Sequence, residues 1–331
     1  MRHRALPSLA ALLLLAACGG EPRATARATD STVTATAGAP DLRMVAVLGD
    51  STSTIEGLAY HDGALYTADW GTGTVYRIDR VKGIKTVGRL PVKPNAWILG
   101  LATDAAGNLY AASPDEGVIW RIEASRLGAA DFDVAKDVRA FATGAKGANG
   151  LAVAPDGHVW ISGGDQNAVY HVGPEGGPVR VFASGYAMAT TDTTMPVRAY
   201  VTNGLGIDAR GNIYTANTGT GEITRLEVKP GYQAGSIAPI AKDRRLLGAD
   251  GIFAEGDTLY VSANFSNTIA RIDPNGAVTV LATDEQGETL RFPAEIKKVG
   301  NVIYVANLNF PVGRNAGQPI KGASIAALVL P

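Results

Sequence analysis

The stretch ANGLAVAPDGHVWIS (residues 148–162) contains two short apolar runs, LAVA and HVWIS, joined by a Pro-Asp-Gly turn. This pattern predicts a β-hairpin. It returns at residues 202–217 and 249–264, where Asn203 and Asp250 stand in the place of Asn149. In all three stretches a polar residue and a glycine precede the first apolar run. The hairpin is therefore part of a repeated unit, and the repeat decides the fold.

Six copies of this unit follow one another along the chain. They begin at intervals of 43, 50, 54, 47 and 44 residues, which is the length of one propeller blade. The copies start at Glu56, Leu99, Asn149, Asn203, Asp250 and Ala294. A typical copy holds a short apolar strand, a turn, an alternating strand with Tyr or Trp, and further strand patterns. The sequence predicts an all-β fold, a six-bladed β-propeller with four antiparallel strands per blade.

The sixth copy has only three strand patterns before the chain ends at Pro331. The segment RMVAVLG (residues 43–49) precedes the first copy and has no other partner. We expect this N-terminal strand to complete blade six and to close the ring, which removes open sheet edges. The alternative, a solenoid with free ends, needs capping repeats, and the sequence contains none that we recognise.

The composition bounds the function. The chain has 331 residues, 46% of them hydrophobic, with 30 Lys and Arg against 31 Asp and Glu. This length and apolar content suffice to bury a large core, in one large domain or in two ordinary ones. The balanced charge leaves no basic field, which argues against nucleic-acid binding. We expect a monomer.

The residues that head the copies are the candidate site. The first strand of each propeller blade lines the central channel, so these six residues converge near the axis, and four of them offer oxygen ligands: Glu56, Asn149, Asn203 and Asp250. Each of these types is also common in turns or at strand starts. Together at equivalent positions they favour a metal site, because two converging carboxylates repel each other unless a cation or a shared proton relieves them.

The donor types indicate which metal. Carboxylate and amide oxygens suit a hard cation such as Ca²⁺, with waters completing its coordination. No His or Cys is among them, which argues against zinc or copper. The expected cofactor is Ca²⁺, with another divalent cation such as Mg²⁺, Mn²⁺ or Zn²⁺ as the alternative.

The order Glu56, Asn149, Asn203, Asp250 resembles the calcium site of one family of six-bladed propellers. The family contains gluconolactonase, regucalcin (senescence marker protein) and the luciferin-regenerating enzyme, with paraoxonase and diisopropylfluorophosphatase as distant relatives. The resemblance spans residues 43–331. It implies a Ca²⁺-type ion held by these four residues and a divalent-metal-dependent hydrolase of lactones or related esters. It further implies that Asp250 is the catalytic residue, as general base or as nucleophile.

The sequence departs from the family before Asn149. In the sugar lactonases an arginine there contacts substrate hydroxyls, whereas this chain has Lys146. An apolar or aromatic ester or lactone is therefore favoured over a sugar-acid lactone. The longest connection, residues 184–201, is either a lid or only a wide blade junction. The residues expected to contact substrate are Asn95, Trp97, Leu99, Lys146, Tyr186, Met188 and Tyr200.

The histidines carry no predicted catalytic role. The sequence has no counterpart of the paraoxonase-type catalytic histidine that we can place. His61 and His158 fall in or beside predicted hairpins, and His171 falls in a predicted third strand. We expect all three to be structural or exposed.

The N-terminus predicts export. Residues 1–18 have positive Arg2 and Arg4, an apolar run too short to span a bilayer comfortably, and then Leu-Ala-Ala-Cys ending at Cys18. This resembles a bacterial lipoprotein signal peptide (residues 1–17) and implies lipidation of Cys18. The alternative is a plain secretory signal with a chance cysteine. We expect a flexible tether over residues 18–41, a propeller domain over 42–331, and a lipid anchor, the only membrane contact, facing the periplasm or cell exterior.

Two other functions remain open on the sequence alone. The first is a non-catalytic binding or scaffold lipoprotein with a structural cation at its axis. The second is a lyase propeller of the streptogramin type, suggested by short motifs such as APDGHVW, although those propellers have seven blades and this sequence has six repeats.

Overall fold

A computed structural model gives the fold and describes residues 27–28, 40–48, 53–93, 96–186, 201–319 and 321–331. Its strands form six sheets, each built around four antiparallel strands. The inner strand of each sheet contacts the inner strands of its two neighbours, so the sheets form a closed ring. The predicted all-β, six-bladed propeller is confirmed.

The first five blades are each formed by consecutive segments of the chain. From the inner to the outer strand, blade one contains β3 (Ile55–His61), β4 (Ala64–Asp69), β5 (Thr74–Asp79) and β6 (Gly83–Arg89). Blade two contains β7 (Leu101–Thr103), β8 (Leu109–Ser113), β9 (Val118–Ile122) and β10 (Val138–Thr143). Blade three contains β11 (Leu151–Val153), β12 (Val159–Ser162), β13 (Ala168–Val172) and β15 (Arg180–Ser184). Blade four contains β16 (Leu205–Ile207), β17 (Ile213–Asn217), β18 (Glu222–Lys229) and β19 (Gln233–Lys242). Blade five contains β20 (Ala249–Glu255), β21 (Thr258–Ala263), β22 (Thr268–Ile272) and β23 (Val278–Thr283).

Blade six joins the two ends of the chain. Its inner three strands are β24 (Pro293–Val299), β25 (Val302–Asn307) and β26 (Ala323–Val329), and its outer strand is β2 (Asp41–Leu48). Strand β2 pairs antiparallel with β26, from Asp41 opposite Val329 to Leu48 opposite Ala323. The predicted closure of the ring by the N-terminal strand is confirmed.

Two short strands lie outside the four-stranded pattern. The strand β1 (Arg27–Ala28) pairs with β2, although it falls in the segment expected to be a flexible tether. The strand β14 (Gly177–Pro178) runs parallel to β10 of the neighbouring blade.

The helices of the described residues are short. They are α1 (Val134–Asp137) and four 3₁₀ turns at Ala124–Arg126, Arg244–Leu246, Asn264–Ser266 and Gly313–Asn315. Within the described ranges, none has the length and apolar character needed to cross a membrane.

The core lies between the blades rather than at one centre. One apolar residue of each inner strand is 0–1% exposed at the equivalent position: Leu58, Leu101, Leu151, Leu205, Ile252 and Ile296. The apolar clusters are shared by adjacent blades, and the one at the closure contains Leu48 of β2, Leu58 of β3 and Ile325 of β26. Burial of one such side chain stabilises the fold by about 1.5–3 kcal/mol. This packing fixes each inner strand, and hence each blade-heading residue, relative to the axis.

Candidate metal centre

The four predicted ligands are buried at the starts of the inner strands. Glu56 and Asp250 lie within β3 and β20, and Asn149 and Asn203 stand two residues before β11 and β16. Their exposures are 6% for Glu56, 5% for Asp250, 4% for Asn149 and 3% for Asn203. The structure thus withdraws two carboxylates and two amides from solvent at equivalent positions of four blades.

Glycines allow these strand starts to approach one another. A Cβ on Gly251 would lie 2.6 Å from the carbonyl oxygen of Ala294, and one on Gly150 would lie 2.6 Å from the backbone nitrogen of Leu205. A Cβ on Gly204 would overlap the carbonyl oxygen of Asp250. Each blade-heading glycine is therefore required by the close approach of the next blade, which explains why glycine follows each of the four predicted ligands.

Two hydroxyl groups hold Asn203: that of Ser162 in β12 and that of Thr218, which follows β17. Ser162 Oγ accepts a hydrogen bond from Gly150 N at 2.7 Å and donates one to the carbonyl oxygen of Asn203. Asn203 Nδ2 donates to Thr218 Oγ1 at 2.9 Å, and Thr218 Oγ1 donates to Ala249 O at 3.0 Å. The amide nitrogen of Asn203 is thereby tied to the protein, which fixes the direction of its oxygen.

Two acceptor atoms of this set are buried without a hydrogen-bond partner among the described residues. They are Glu56 Oε2 and Asn203 Oδ1. The Asn149 side chain hydrogen-bonds to the Glu56 carboxylate, and Asn264 Nδ2 donates to Asp250 Oδ2 at 3.3 Å. A buried acceptor without a donor is costly unless a cation or water satisfies it. Buried oxygens of this kind are the ligands that a hard cation prefers, so the residues fit a Ca²⁺-type ion.

The electrostatics of the carboxylates agree with this fit. Burial raises the pKa of Glu56 well above its ordinary value, and the charges of Asp250 and Glu295 raise it further. Burial, followed by repulsion from Glu295, raises the pKa of Asp250 to about 8, against a small opposing effect of its Asn264 hydrogen bond. Carboxylates that hold protons so tightly without an ion are stabilised in their charged form when a cation binds.

Metal sites rich in His, Cys or several carboxylates do not occur in the described part of the chain. No group of three or more His, Cys, Asp and Glu side chains is arranged there to hold a metal ion. The Glu-Asn-Asn-Asp set has only two residues of those types, so its fit depends on its unpartnered oxygens and its burial.

The other predicted site residues are scattered. Leu99 and Ala294 head blades two and six and are buried, while Lys146 is exposed. Tyr186, predicted to contact substrate, is buried in the core between blades three and four, together with Trp160 and Leu205. Asn95, Met188 and Tyr200 lie outside the described residues, as do residues 187–200 of the predicted lid and Cys18.

Trp97, a predicted substrate-contact residue, belongs to an aromatic cluster that was not predicted. The rings of Trp70 and Trp97 are stacked, with centroids 4.7 Å apart and planes 7° apart, and Phe310 meets Trp70 edge-on at 5.2 Å. Trp70 and Phe310 pack against Phe292 and Ala294, and Ala294 heads blade six. We call Trp70, Trp97, Phe292 and Phe310 the aromatic wall. Both tryptophans and Phe310 are half-buried, so the wall presents apolar surface next to Ala294, at the strand start of blade six.

The sequence analysis also did not predict the buried Glu295. It is 4% exposed and follows Ala294, at the position where the other five copies have glycine. The aligned copies show this exception to the glycine, but the prediction considered only the first residue of each copy.

Two histidines form a cluster in blade three, away from the axial strand starts. His171 Nε2 and His158 Nδ1 are 2.8 Å apart, and Arg180 Nε donates to His171 Nδ1 at 3.0 Å. Tyr232 stacks on His158 with ring centroids 3.8 Å apart. Burial and the nearby Arg180 charge lower the pKa of His171 to about 4. The cluster clamps blade three to the β18–β19 hairpin of blade four.

The sequence matches the family described as SMP-30/gluconolactonase/LRE-like region over residues 54–285. This match covers more than half of the chain, and the chain therefore belongs to that family. No curated protein matches the sequence.

Solved structures with the same fold are distant in sequence. A luciferin-regenerating enzyme is 14% identical with a TM-score of 0.64, over 88% of this chain and 95% of that one. A gluconolactonase from Xanthomonas campestris is 17% identical with a TM-score of 0.57, over 88% and 90%. Virginiamycin B lyase from Staphylococcus aureus is 14% identical with a TM-score of 0.57, over 88% and 100%. At these identities the likeness establishes the propeller fold alone.

Proposed function

We propose that this protein is a divalent-metal-dependent hydrolase of lactones or related esters, with a Ca²⁺-type ion held by Glu56, Asn149, Asn203 and Asp250. One observation carries the proposal: buried oxygens of Glu56 and Asn203 have no partner among the described residues, at the point where the inner strands converge. Family membership and gluconolactonase neighbours support a lactonase-like propeller with a small-molecule lactone as substrate.

The chemistry divides between the ion and Asp250. When bound, a divalent ion supplies Lewis-acid polarisation of the substrate carbonyl and stabilises negative charge on its oxygen. Asp250 acts as general base: it accepts a proton from the attacking water, the water oxygen bonds to the carbonyl carbon, and the ester C–O bond breaks. The proton then passes to the departing oxygen, which closes the balance. Asn264 orients the carboxylate through its bond to Asp250 Oδ2.

The aromatic wall supports an apolar or aromatic substrate. Trp70 and Trp97 present stacked, half-buried rings, and Trp70 packs near Ala294 at the head of blade six. An acyl or aryl group packed there loses water from both surfaces, which favours binding. Lys146 is exposed and offers a single point charge, so it does not replace a planar arginine that grips sugar hydroxyls.

The protein acts outside the cytoplasm in this proposal. The signal-like segment up to Cys18 supports export and lipidation of the Cys18 thiol, with the propeller held at a bacterial membrane through that lipid. Radiolabelled palmitate incorporation into the full chain, lost on Cys18→Ser, tests this part separately from the chemistry. Labelling that persists in the variant contradicts it.

The decisive experiment measures metal binding and turnover on one preparation. The chain from residue 18, with Cys18→Ser, is freed of metal by a chelator and titrated with Ca²⁺ in a calorimeter. We expect one tight site, lost in Glu56→Gln/Asp250→Asn and kept in Asp62→Asn, which neutralises an exposed carboxylate in a hairpin turn. A panel of aryl esters and lactones is then tested with and without chelator.

The outcomes separate the two functions. Hydrolysis that requires the ion and disappears in Asp250→Asn, while that variant still binds Ca²⁺, establishes the hydrolase. Asp250→Asn turning over at the wild-type rate removes Asp250 from catalysis. Calcium binding with no turnover on any substrate leaves the non-catalytic propeller with a structural cation, and no binding by the wild type removes the metal centre itself.

A further inference from the structure

The two histidines of blade three belong to a directed chain of hydrogen bonds. His158 Nδ1 and His171 Nε2 are 2.8 Å apart, and the two ring planes differ by 12° with centroids 5.0 Å apart. This is the geometry of one N–H···N hydrogen bond that lies in line with both rings. On the other side of His171, Arg180 Nε donates to Nδ1 at 3.0 Å. We call Arg180, His171 and His158 the relay.

Arg180 determines where both histidines carry their protons. A guanidinium donates hydrogen bonds and cannot accept them, so His171 Nδ1 must be the acceptor. His171 therefore carries its one proton on Nε2 and donates it to His158 Nδ1. Because His158 Nδ1 accepts, His158 carries its own proton on Nε2 as well. The relay thus holds both rings neutral, each in the Nε2–H form.

The relay has no place for a further proton. A proton on His158 Nδ1 would face the Nε2–H of His171 across 2.8 Å, and a proton on His171 Nδ1 would face the Nε–H of Arg180. Either proton also adds positive charge where His171 is only 6% exposed. In agreement, burial and the charges of Arg180 and His158 lower the pKa of His171, against an opposing effect of Asp156. Protonation of either ring therefore breaks the chain of hydrogen bonds.

Tyr232 of the β18–β19 hairpin covers the relay in an unfavourable backbone conformation. Its ring stacks on His158 with centroids 3.8 Å apart and on His171 with centroids 5.3 Å apart. Its hydroxyl donates to Asp156, and its carbonyl oxygen accepts a hydrogen bond from Arg180. Tyr232 has a φ of 55°, in the left-handed region that disfavours bulky side chains. Such a conformation persists only while the surrounding contacts hold it, so the hairpin relaxes when they weaken.

We infer that the relay is an acid-sensitive clamp, which holds the β18–β19 hairpin against blade three while both histidines are neutral and releases it when either gains a proton. Among the described residues, the charged and titratable groups that contact the relay from other elements are Asp156 in the β11–β12 turn and Tyr232 in the hairpin.

Release of the hairpin loosens one blade junction while the ring stays folded. Trp160 packs on His171 with centroids 4.3 Å apart and belongs to the core between blades three and four. It is 1% exposed, so its environment changes when the hairpin leaves the relay. The inference depends neither on the proposed metal centre nor on the proposed reaction, because the relay lies away from the axial strand starts.

Hydrogen–deuterium exchange of the hairpin tests the inference. Protection of residues 228–234, corrected for the intrinsic effect of pH on exchange, is measured from pH 7 to pH 4 with a chelator present throughout. We expect wild-type protection to fall on the order of tenfold over this range, because the clamp opens locally before the ring unfolds. The turn between β22 and β23 in blade five (residues 273–277), which contains no histidine, is the internal control and should change little.

Two substitutions of Arg180 separate the relay from general acid sensitivity. Arg180→Met removes the donor at His171 Nδ1, so His171 accepts a proton there and still donates to His158. Its hairpin should keep its protection within about twofold from pH 7 to pH 4. Arg180→Lys retains a cationic donor and should behave as the wild type does.

Nitrogen NMR of the imidazole rings gives a second measurement that needs no variant. At pH 7 both wild-type rings should be neutral, with Nε2 protonated and Nδ1 unprotonated. A ring that is charged at pH 6, or that carries its proton on Nδ1, overturns the inference even if Arg180→Met does not fold. Hairpin protection that is constant down to pH 4, an equal loss of protection in blade five, or an equal loss in Arg180→Met overturns it as well.

Discussion

Asp250→Asn should stabilise the metal-free propeller at pH 8, although it removes a candidate ligand. Asp250 is 5% exposed, and burial and the charge of Glu295 raise its pKa to about 8, from an ordinary value of 3.8. The folded state thus holds the proton more tightly than the unfolded state. The stability that Asp250 contributes is fully present below about pH 4 and is lost as the pH rises to about 8.

The magnitude follows from the shift. Each tenfold change in proton affinity corresponds to about 1.4 kcal/mol, so the rise of the Asp250 pKa from 3.8 to about 8 sets an upper limit of about 6 kcal/mol for this residue. Water entry and local relaxation reduce the penalty in a real protein, so we expect about 2–4 kcal/mol. Asparagine has nearly the same shape and no charge to bury, and it also relieves repulsion on Glu56.

Urea unfolding at pH 5, 6, 7 and 8 measures the effect, with a chelator and separately with Ca²⁺. Metal-free wild type should lose about 2–4 kcal/mol of unfolding free energy between pH 5 and pH 8. Asp250→Asn should lose less, and Ca²⁺ should restore more stability at pH 8 to the wild type than to Asp250→Asn, because only the wild type has the Asp250 charge for the ion to neutralise. Asp62→Asn, at an exposed turn, serves as the control and should follow the wild type. The reasoning is refuted if metal-free wild type is equally stable at all four pH values, or if Asp250→Asn is the less stable protein at pH 8.

Three further predictions follow from the packing. Gly204→Ala places a Cβ onto the Asp250 carbonyl, so it should lower the unfolding free energy by about 2–4 kcal/mol in urea unfolding and abolish calcium binding in calorimetry. Gly71→Ala, where the nearest atom would lie 3.8 Å from the new Cβ, should change both little. His171, with its pKa lowered to about 4, should make stability fall by on the order of 1–2 kcal/mol from about pH 6.5 to 4, and His171→Gln should flatten that fall in urea unfolding. Trp97→Ala removes a stacked ring and should raise KM for aryl esters about fivefold while leaving KM for acetate esters of small alcohols nearly unchanged, measured by steady-state kinetics.

The blade count, the ring closure and the burial of the four blade-heading residues were predictable because a repeat records them locally. Asn149 and Asn203 stand at the same position of the repeat, and a propeller must bring equivalent positions to one axis. The three unmatched strand patterns of blade six likewise demanded a fourth strand, and β2 supplies it. The metal and the catalytic role of Asp250 remain predictions.

The aromatic wall and the burial of Tyr186 could not be predicted in this way. Trp70 follows a strand of blade one and Phe310 follows a strand of blade six, so only closure of the ring brings their rings together. Tyr186 stands in a long connection that reads as surface, yet its ring fills the core between two blades, where apolar contacts outweigh loop polarity. Contacts between blades depend on the geometry of the ring, which no single repeat contains.

The axial site places like charges where the inner strands approach one another closely. Glu56, Asp250 and Glu295 are each at least 94% buried, and glycines hold the neighbouring strands against them. The metal-free fold must therefore carry a penalty that ion binding removes, so metal affinity and folding stability are linked. An ion at a hundred times its Kd adds about 2.7 kcal/mol to the unfolding free energy. Thermal stabilisation by divalent ions thus detects the site without any knowledge of the substrate.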